Sequence, residues 1–396
     1  MTVSADRDLH YDPYDVDQKT STRFRCSRGC ARKRRCTTTP DLDFYALSRF
    51  DDVNKAVIDH ETFISGRGAL LEIIKSGMEI PTGTLIFFED PPIHNIHRNL
   101  LSRVFTPRKV AALEPQIREF TTRCLDPLVG TGRFDFVNDL GEQMPMRVIG
   151  MLLGIPEDRQ RAVTDHGEAT LQSDKVDLLA TGEIFAEFID YRRDHPADDI
   201  MTDLLNAEFA DETGTVRRLH REELLLYLTV IATAGSETTT RLIGWAGKTL
   251  AEYPPDQRRE LAENPALIPQ AIEEILRWEP PALQIARYVT RDVEYYGQTV
   301  PAGSAMLMLV GAANRDHRRF APDGDVFDIH RELKSHMTFG AGTHFCMGNA
   351  LARMEGRIAL EEILKRFPTW EVDWANARKS QTTAVRGWDA MPTIVP

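Results

Sequence analysis

The sequence has no long apolar run and no excess of basic charge. No stretch of about 18 consecutive apolar residues occurs, so we expect no segment that spans a membrane. The 48 lysines and arginines against 60 aspartates and glutamates give a net charge of −12 in 396 residues, which argues against nucleic acid as a general partner. The first residues are acidic and polar, so we expect neither a signal peptide nor an anchor there.

Cysteine is also scarce. The five cysteines are Cys26, Cys30, Cys36, Cys124 and Cys346. The number is odd and the last two stand alone, which is not the pattern of a disulfide framework. We therefore expect a reducing, cytoplasmic compartment.

The segment 23–36 differs from the rest of the chain because it combines seven basic residues with three cysteines and no acidic residue. Three interpretations stay open: a basic patch for nucleic acid or anionic lipid, a metal site from Cys26, Cys30 and Cys36, or a local reading-frame slip in the source gene. We divide the chain into an atypical segment, 1–39, and one domain, 40–396.

The stretch FGAGTHFCMG, residues 339–348, places Cys346 among glycines and directly before apolar residues at helical spacing. A cysteine at the start of a helix lies near free N–H groups and the positive end of the helix dipole, which predicts a thiolate. The alternative is that a lone cysteine beside a helix is structural.

The pattern F-G-x-G-x-H-x-C-x-G in this stretch resembles the haem-binding loop of the cytochrome P-450 family. The resemblance implies that Cys346 ligates the iron of heme b. It also assigns Phe339, Gly340, His344 and Gly348 to the haem site, with His344 on a propionate. The implied fold is a single, mainly α domain with a small β region, in which haem lies between a long central helix and the cysteine loop.

A long helix is predicted over residues 220–251, and its middle contains AGSETTT, which is a weak helix sequence. One interpretation is that Ala234 and Gly235 are small so that another helix packs closely. The other is a resemblance to the family motif [AG]-G-x-[DE]-T. In that case Ala234 and Gly235 let haem and O2 approach the backbone. Thr238 bonds back toward residue 234 and loosens the helix, and Glu237 delivers protons for oxygen cleavage.

Two further matches assign the haem propionates. The pattern D-P-P-x-H-x-x-x-R places His94 and Arg98 four residues apart on one helix face, either as a solvated polar face or as donors to a propionate. Arg287 matches the family position that contacts the other propionate.

Glu274 and Arg277 form an E-x-x-R pair, which is natural on a helix but weak as a signal by itself. The family resemblance adds Arg331 as the third member. We interpret this triad as a structural ion pair rather than as catalytic chemistry.

The implied reaction is the insertion of one atom of O2 into a small lipophilic substrate. No region resembles a flavin, iron–sulfur or dinucleotide-binding domain, so NAD(P)H-derived electrons must arrive through an external ferredoxin and its reductase. We also expect a monomer. The candidate docking residues near Cys346 are Arg103, Arg108, Lys109, Arg353 and Arg357.

Alternative functions stay open. They are a haem-thiolate ligand-binding or sensor protein without turnover, a peroxide-driven peroxygenase, and a nucleic-acid module at residues 23–36. The predicted substrate-pocket residues are mostly apolar, with two polar members: Ile231, Leu283, Gln284, Ile285, Val385 and Arg386.

Overall fold

The computed structural model describes residues 43–80, 85–103, 105–156, 158–159, 185–382 and 384–396, and the backbone of residues 36–39. Cys26, Cys30 and the other predicted features of residues 23–35 lie outside this range. Residues 36–39, by contrast, form a strand paired with Phe44–Leu47, so the last four residues of the atypical segment belong to the main sheet.

Helices make up most of the described chain. Their bounds are α1 Phe50–Ile58, α2 Leu71–Ser76, α3 Ile93–Ser102, α4 Pro107–Ala112, α5 Glu114–Leu125, α6 Gln143–Leu152, α7 Ala186–Asp194, α8 Ile200–Asn206, α9 Arg221–Glu252, α10 Pro255–Glu263, α11 Ile268–Trp278, α12 Val310–Ala313 and α13 Asn349–Arg366. A π-helical turn, Phe136–Gly141, precedes α6.

The strands are short. Their bounds are β1 Cys36–Thr39, β2 Phe44–Leu47, β3 Phe63–Ile64, β4 Arg133–Asp135, β5 Phe209–Ala210, β6 Val216–Arg217, β7 Ile285–Val289, β8 Val293–Tyr295, β9 Gln298–Val300, β10 Ala305–Met308, β11 Glu371–Val372, β12 Arg378–Lys379, β13 Trp388–Ala390 and β14 Pro392–Ile394. The main sheet has the order β1-β2-β10-β7-β3, and only its β2–β10 pair is parallel.

The central helix α9 is the longest element, and every residue from Thr239 to Leu250 is buried. A helix buried on all sides must be surrounded by other elements, and α9 packs against α6, α10, α11, α13 and the π-helical turn. At its start, the Glu223 carboxylate accepts a hydrogen bond of 2.7 Å from the His220 N–H. This observed helix confirms the helix predicted over 220–251.

The helix α13, which follows the cysteine loop, packs against α5, α9 and α11. The loop is therefore held beside the middle of the central helix. The implied architecture, a mainly helical single domain with small sheets, is confirmed. None of the described helices combines the length and apolar character needed to cross a bilayer.

Candidate active site

The cysteine loop is a tight turn that depends on glycine. Gly340 and Gly342 have φ angles of +69° and +65°, in the left-handed region that side chains disfavour. The Cys346 N–H donates a hydrogen bond of 2.8 Å to the Phe339 carbonyl, and the Asn349 side chain donates one of 2.7 Å to the Cys346 carbonyl. These bonds hold Cys346 three residues before the start of α13.

The electrostatics of Cys346 differ from the prediction. Burial raises the pKa of its thiol, while the Gly348 N–H, Arg98 and Arg353 act in the opposite direction with smaller effect. The prediction of a thiolate from helix position is therefore wrong for the polypeptide by itself. A bound metal ion is what would hold this sulfur deprotonated.

A cavity of about 220 Å³ separates the cysteine loop from α9. Its wall on the loop side includes Phe339, Cys346 and Gly348. Its opposite wall is formed by residues of α9, namely Val230, Ile231, Ala234, Gly235, Thr238, Thr239 and Leu242. The structure thus brings together the two motifs that lie about a hundred residues apart in the chain.

Ala234 and Gly235 of α9 were interpreted either as allowing close helix packing or as part of a cofactor site, and the structure supports each interpretation in part. A Cβ added at Gly235 would lie 2.5 Å from Ile149 Cδ1 of α6, so this glycine does allow close helix packing. Ala234 and Gly235 nevertheless also line the cavity. Helix packing and access to the cavity therefore both require small residues here.

Thr238 makes the predicted bond back to residue 234, with its hydroxyl donating to the Ala234 carbonyl at 2.8 Å. The helix stays continuous through this point rather than loosening. Glu237 is not among the residues of the described chain that line the cavity, because it faces Arg241 at 3.5 Å. Arg241 also pairs at 3.0 Å with Asp389, which is about half exposed.

Four cationic or imidazole side chains meet beside the loop, as the sequence predicts. The His94 and His344 rings lie 4.2 Å apart between centroids. Arg98 donates a hydrogen bond of 2.6 Å to the Phe345 carbonyl, which ties α3 to the cysteine loop. Arg287 projects from β7, and its guanidinium donates to the Ala286 carbonyl at 2.8 Å.

Several polar and cationic groups of this cluster have no anionic partner in the described chain. His94 Nδ1 is buried without a hydrogen-bond partner. Arg287 is only 4 % exposed, and within the described chain neither it nor Arg98 has a carboxylate at ion-pair distance. Burial lowers the pKa of Arg287 to about 10, and burial with the neighbouring Arg287 and His94 lowers that of His344 to about 3. A ligand with carboxylates, such as haem with its propionates, fits these residues.

The cysteine side of the cavity fits the same group. A Cβ added at Gly348 would meet no protein atom within 4 Å, so the backbone faces open space beside Cys346. This open space beside Cys346 would accommodate a flat macrocycle such as haem.

The predicted triad of Glu274, Arg277 and Arg331 is present. Arg277 binds both carboxylate oxygens of Glu274, at 2.6 and 2.7 Å, and Arg331 Nε lies 3.3 Å from one of them. Glu274 and Arg277 are both fully buried. The remaining guanidinium N–H groups of Arg277 donate to backbone carbonyls, so the pair is almost completely satisfied.

The predicted substrate pocket is only partly right. Ile231 lines the cavity, and so do Pro281 and Ala282 from the segment after α11. The other predicted pocket residues, all in the described chain, do not line it: Leu283, Gln284, Ile285, Val385 and Arg386. The reason for Leu283 is packing, since it is buried against the main sheet in a separate apolar cluster.

Arg386 in particular is a structural residue and not a free polar anchor. Its guanidinium binds the Glu279 carboxylate and donates to the Pro280 carbonyl at 3.2 Å. It also lies 4.0 Å from the centre of the Trp245 ring. The Arg386 N–H donates to the Pro281 carbonyl at 2.8 Å, so the C-terminal turn is fixed to the segment that lines the cavity.

The predicted basic docking patch is largely neutralised. Three of its five residues are in ion pairs, namely Lys109–Asp203, Arg353–Glu273 and Arg357–Glu114. Arg103 contributes one bond to the Glu208 carbonyl at 3.4 Å, and both Arg103 and Arg108 are exposed. The sequence did not reveal these pairings, because the acidic partners lie on other helices.

Three polar residues of the cavity wall were not predicted. Thr239 is next to the motif threonine, Thr338 directly precedes the cysteine loop, and Glu355 lies in α13. A signal for Glu355 was available, because it falls on the same helix face as the buried Leu351 and Ile358. A carboxyl at an apolar-face position is unusual enough to mark the site.

Comparison with known proteins identifies the family of this chain. The sequence matches the Cytochrome P450 family over residues 179–384. It is 37% identical over 345 residues to Cytochrome P450 130 of Mycobacterium tuberculosis, and this alignment covers 84% of each protein. It is 34% identical over 364 residues to Vitamin D(3) 25-hydroxylase of Pseudonocardia autotrophica, covering 90% of this chain and 89% of that protein.

The fold agrees with the sequence comparison. Cytochrome P450 CYP109Q5 from Chondromyces apiculatus superposes with a TM-score of 0.84 and 30% identity, over 97% of this chain and 98% of that one. The chain belongs to the cytochrome P450 family and is a P450 monooxygenase.

Proposed function

We propose that this enzyme uses heme b to insert one atom of O2 into a small lipophilic substrate, with electrons from an external ferredoxin and its reductase and ultimately from NAD(P)H. The observation that carries the proposal is the cavity that has Cys346 on one wall and Ala234, Gly235 and Thr238 on the other. Haem bound there would supply the oxygen-activating chemistry.

The residues of the chain have separate tasks in this proposal. Cys346 is the iron ligand, and the Gly348 N–H stabilises negative charge on its sulfur. His94, Arg98, Arg287 and His344 hold the two haem carboxylates and so fix its orientation.

Proton delivery is assigned to Glu237 and Thr238. The Thr238 hydroxyl donates to the Ala234 carbonyl, so its oxygen is free to accept a hydrogen bond from a group in the cavity. Glu237 contacts Arg241, which contacts the half-exposed Asp389, and these residues connect the motif with solvent. Glu237 must leave Arg241 to reach the cavity, because it does not line it in this structure.

The substrate class is proposed from the wall of the cavity. Phe105, Ile149, Val230 and Ile231 are apolar, and they would exclude water from a lipophilic molecule. The relative named Vitamin D(3) 25-hydroxylase acts on a lipophilic compound, which supports the same class here. A monomeric protein in the cytoplasm is also part of the proposal.

The test is the visible spectrum of the reduced protein with carbon monoxide. We expect the red-shifted band of a thiolate ligand in the wild-type protein and its loss in Cys346→Ser. Cys124→Ser is the matched control, because Cys124 lies on α5 and does not line the cavity. A wild-type protein that binds haem without this band would overturn the proposal.

The electron source is tested separately. We expect turnover with NAD(P)H, a ferredoxin and its reductase, and a slower rate when Arg108, an exposed basic residue, is replaced by glutamate. Turnover with peroxide alone, and none with the redox partners, would favour the peroxygenase alternative. This second assay is needed because Glu237, the proposed proton donor, is paired with Arg241 and does not line the cavity in this structure.

A further inference from the structure

Glu89 and His97 form a buried pair beside the residues assigned to the haem carboxylates, and the proposed mechanism does not use it. Glu89 is 4 % exposed and His97 is 3 % exposed. His97 Nδ1 lies 2.9 and 2.8 Å from the two oxygens of the Glu89 carboxylate. Because a carboxylate only accepts hydrogen bonds, Nδ1 carries a proton and donates it to Glu89.

The Glu89–His97 pair connects the two elements that carry most of the cluster. His97 lies on α3, between His94 and Arg98. The Glu89 backbone makes a hydrogen bond with the ring of His344 in the cysteine loop, and that ring lies 4.2 Å from the ring of His94. Glu89 therefore holds α3 through its carboxylate and the cysteine loop through its backbone.

The surroundings of the pair exclude water. The His97 ring lies 6.1 Å from the Phe209 ring of β5 and 5.7 Å from the Tyr227 ring of α9, both in edge-on contact. The Tyr227 hydroxyl is itself buried without a hydrogen-bond partner. An ionised carboxylate in such a place needs a cation, so the proton shared with His97 makes the pair an imidazolium with a carboxylate.

The neighbouring acids have partners of their own. Glu223 on α9 binds Arg217 at 2.8 Å. Asp90 accepts hydrogen bonds of 2.9 and 2.8 Å from the N–H groups of residues 65 and 66. Neither acid needs His97 as a counter-ion, and Glu89 is the acid that His97 serves.

The charge of Glu89 is felt at the haem-carboxylate cluster. Burial lowers the pKa of His94, and the negative charge of Glu89 acts in the opposite direction. The same charge would repel the two haem carboxylates that His94 is expected to hold. In a buried site this repulsion is strong, because little water screens it. An imidazolium against Glu89 offsets it.

We propose that Glu89 and His97 are a positioning pair for the haem: their bond fixes α3 and His344 in the arrangement that holds the haem carboxylates, and the charge of His97 offsets that of Glu89. The inference rests on the proposed function, because it requires haem in this cavity. Neither residue takes part in the reaction itself.

The first experiment measures how fast the ferric protein loses haem to an excess of apomyoglobin. Breaking one side of a buried charged pair acts mainly on dissociation, so we expect His97→Leu and His97→Gln to lose haem at least about tenfold faster than the wild-type protein. The double variant Glu89→Gln with His97→Gln has a neutral hydrogen-bonded pair and should stay within about threefold of the wild-type rate.

His330→Leu is the matched control, because it breaks a histidine–glutamate pair of similar length, 3.0 Å to Glu260, that is exposed on another face. We expect wild-type haem loss for this variant. Wild-type haem loss in His97→Leu, or a double variant that loses haem as fast as His97→Gln, would overturn the inference.

The second experiment measures the midpoint potential of the haem iron across about pH 6 to 9 and separates charge from packing. A carboxylate without its counter-ion stabilises the ferric state, so we expect His97→Gln to have a lower potential that falls further as Glu89 ionises with rising pH. The double variant should follow the wild-type profile. Identical profiles for His97→Gln and the double variant would show that the charge of Glu89 does not act on the haem.

The outcomes separate the two proposals. If the wild-type protein shows the thiolate band with carbon monoxide but the His97 variants keep the wild-type haem loss and potential, the inference about this pair alone is overturned. If the wild-type protein binds haem without that band, the proposed function fails, while the haem-loss experiment still decides whether the pair positions the haem.

Discussion

Glu274 and Glu355 are both fully buried glutamates of neighbouring helices, yet their hydrogen-bond and ion-pair partners differ. Glu274 is bound by two arginines and by the Asp328 N–H at 2.9 Å. Glu355 has one long hydrogen bond from a threonine. The comparison shows that burial alone does not give a carboxyl its role, because the partners decide whether it stays charged.

The position of the two residues matches this difference. Glu274 faces the backbone carbonyls of residues 314–326 through its arginine partner, and there it fixes one loop to α11. Glu355 faces the cavity below α9. The first place therefore holds a buried ion pair, and the second holds a carboxyl whose pKa is raised by burial.

Replacing Glu274 by Gln should have the largest effect. The change leaves the buried charges of Arg277 and Arg331 without an anion, which costs on the order of 3–5 kcal/mol. We expect a large fall in the urea midpoint of unfolding and in the fraction of protein that retains haem. The double variant Glu274→Gln with Arg277→Met should recover part of this loss. A single variant as stable as the wild-type protein would remove the distinction between the two glutamates.

Replacing Glu355 by Gln should have a smaller effect whose size depends on pH. The pKa of Glu355 is about 8 in the folded protein and 4.5 in the unfolded reference. The folded state therefore holds an extra proton between these values, and its stability falls as pH rises through the window. We expect the variant to gain stability over the wild-type protein from pH 5 to pH 9, by roughly 4 kcal/mol or less.

The urea midpoint at pH 5, 7 and 9 measures this trend. Glu362→Gln is the control, because the pKa of Glu362 is lowered to about 2 by its basic partners. Its contribution is complete above pH 4.5 and is lost only as pH falls toward 2, so this variant should be destabilised equally at pH 5, 7 and 9. A difference between Glu355→Gln and the wild-type protein that does not change with pH would contradict the neutral state of Glu355.

Replacing Thr239 by Val should have a weaker effect on stability, within about 1 kcal/mol, because its bond to Glu355 is long. The bond lowers the pKa of Glu355, so its loss should raise that pKa further. The measurement is the pH at which the infrared carbonyl band of the protonated Glu355 side chain disappears. A downward movement of this pH would show that Thr239 does not stabilise the ionised form.

Replacing Lys109 by Gln should have the smallest effect. Its ion pair with Asp203 is more than a third exposed on both sides, and such pairs contribute about 0–1 kcal/mol. We expect an unchanged urea midpoint at high salt and at most a small decrease at low salt. A loss comparable to that of Glu274→Gln would mean that burial is not what separates strong from weak pairs here.

Local sequence patterns were sufficient for several parts of the molecule. The helix predicted over 220–251 is present, because its apolar spacing matches what the surrounding elements bury. The contact of Thr238 with the Ala234 carbonyl is likewise a property of one helix turn.

Contacts between distant segments could not be derived in the same way. The pattern around Arg386 predicted a pocket residue, but Glu279, which directly follows α11, binds it. The basic residues near Cys346 predicted a docking patch, but acids on α5, α8 and α11 neutralise three of them. Each partner lies many residues away, and no short-range pattern encodes that distance.

The sequence by itself determined the chemistry that is available: a cysteine among glycines before a helix, an acid–alcohol pair in a weak helix centre, and bases at helical spacing. The tertiary structure decided which of these groups are charged and which face the cavity. Burial raised the pKa of Cys346 and of Glu355, while helix packing supplied Glu274 with arginines and placed Glu237 against Arg241. The physical reason is that the charge of a buried group depends on its distance from all other groups, and only the fold sets those distances.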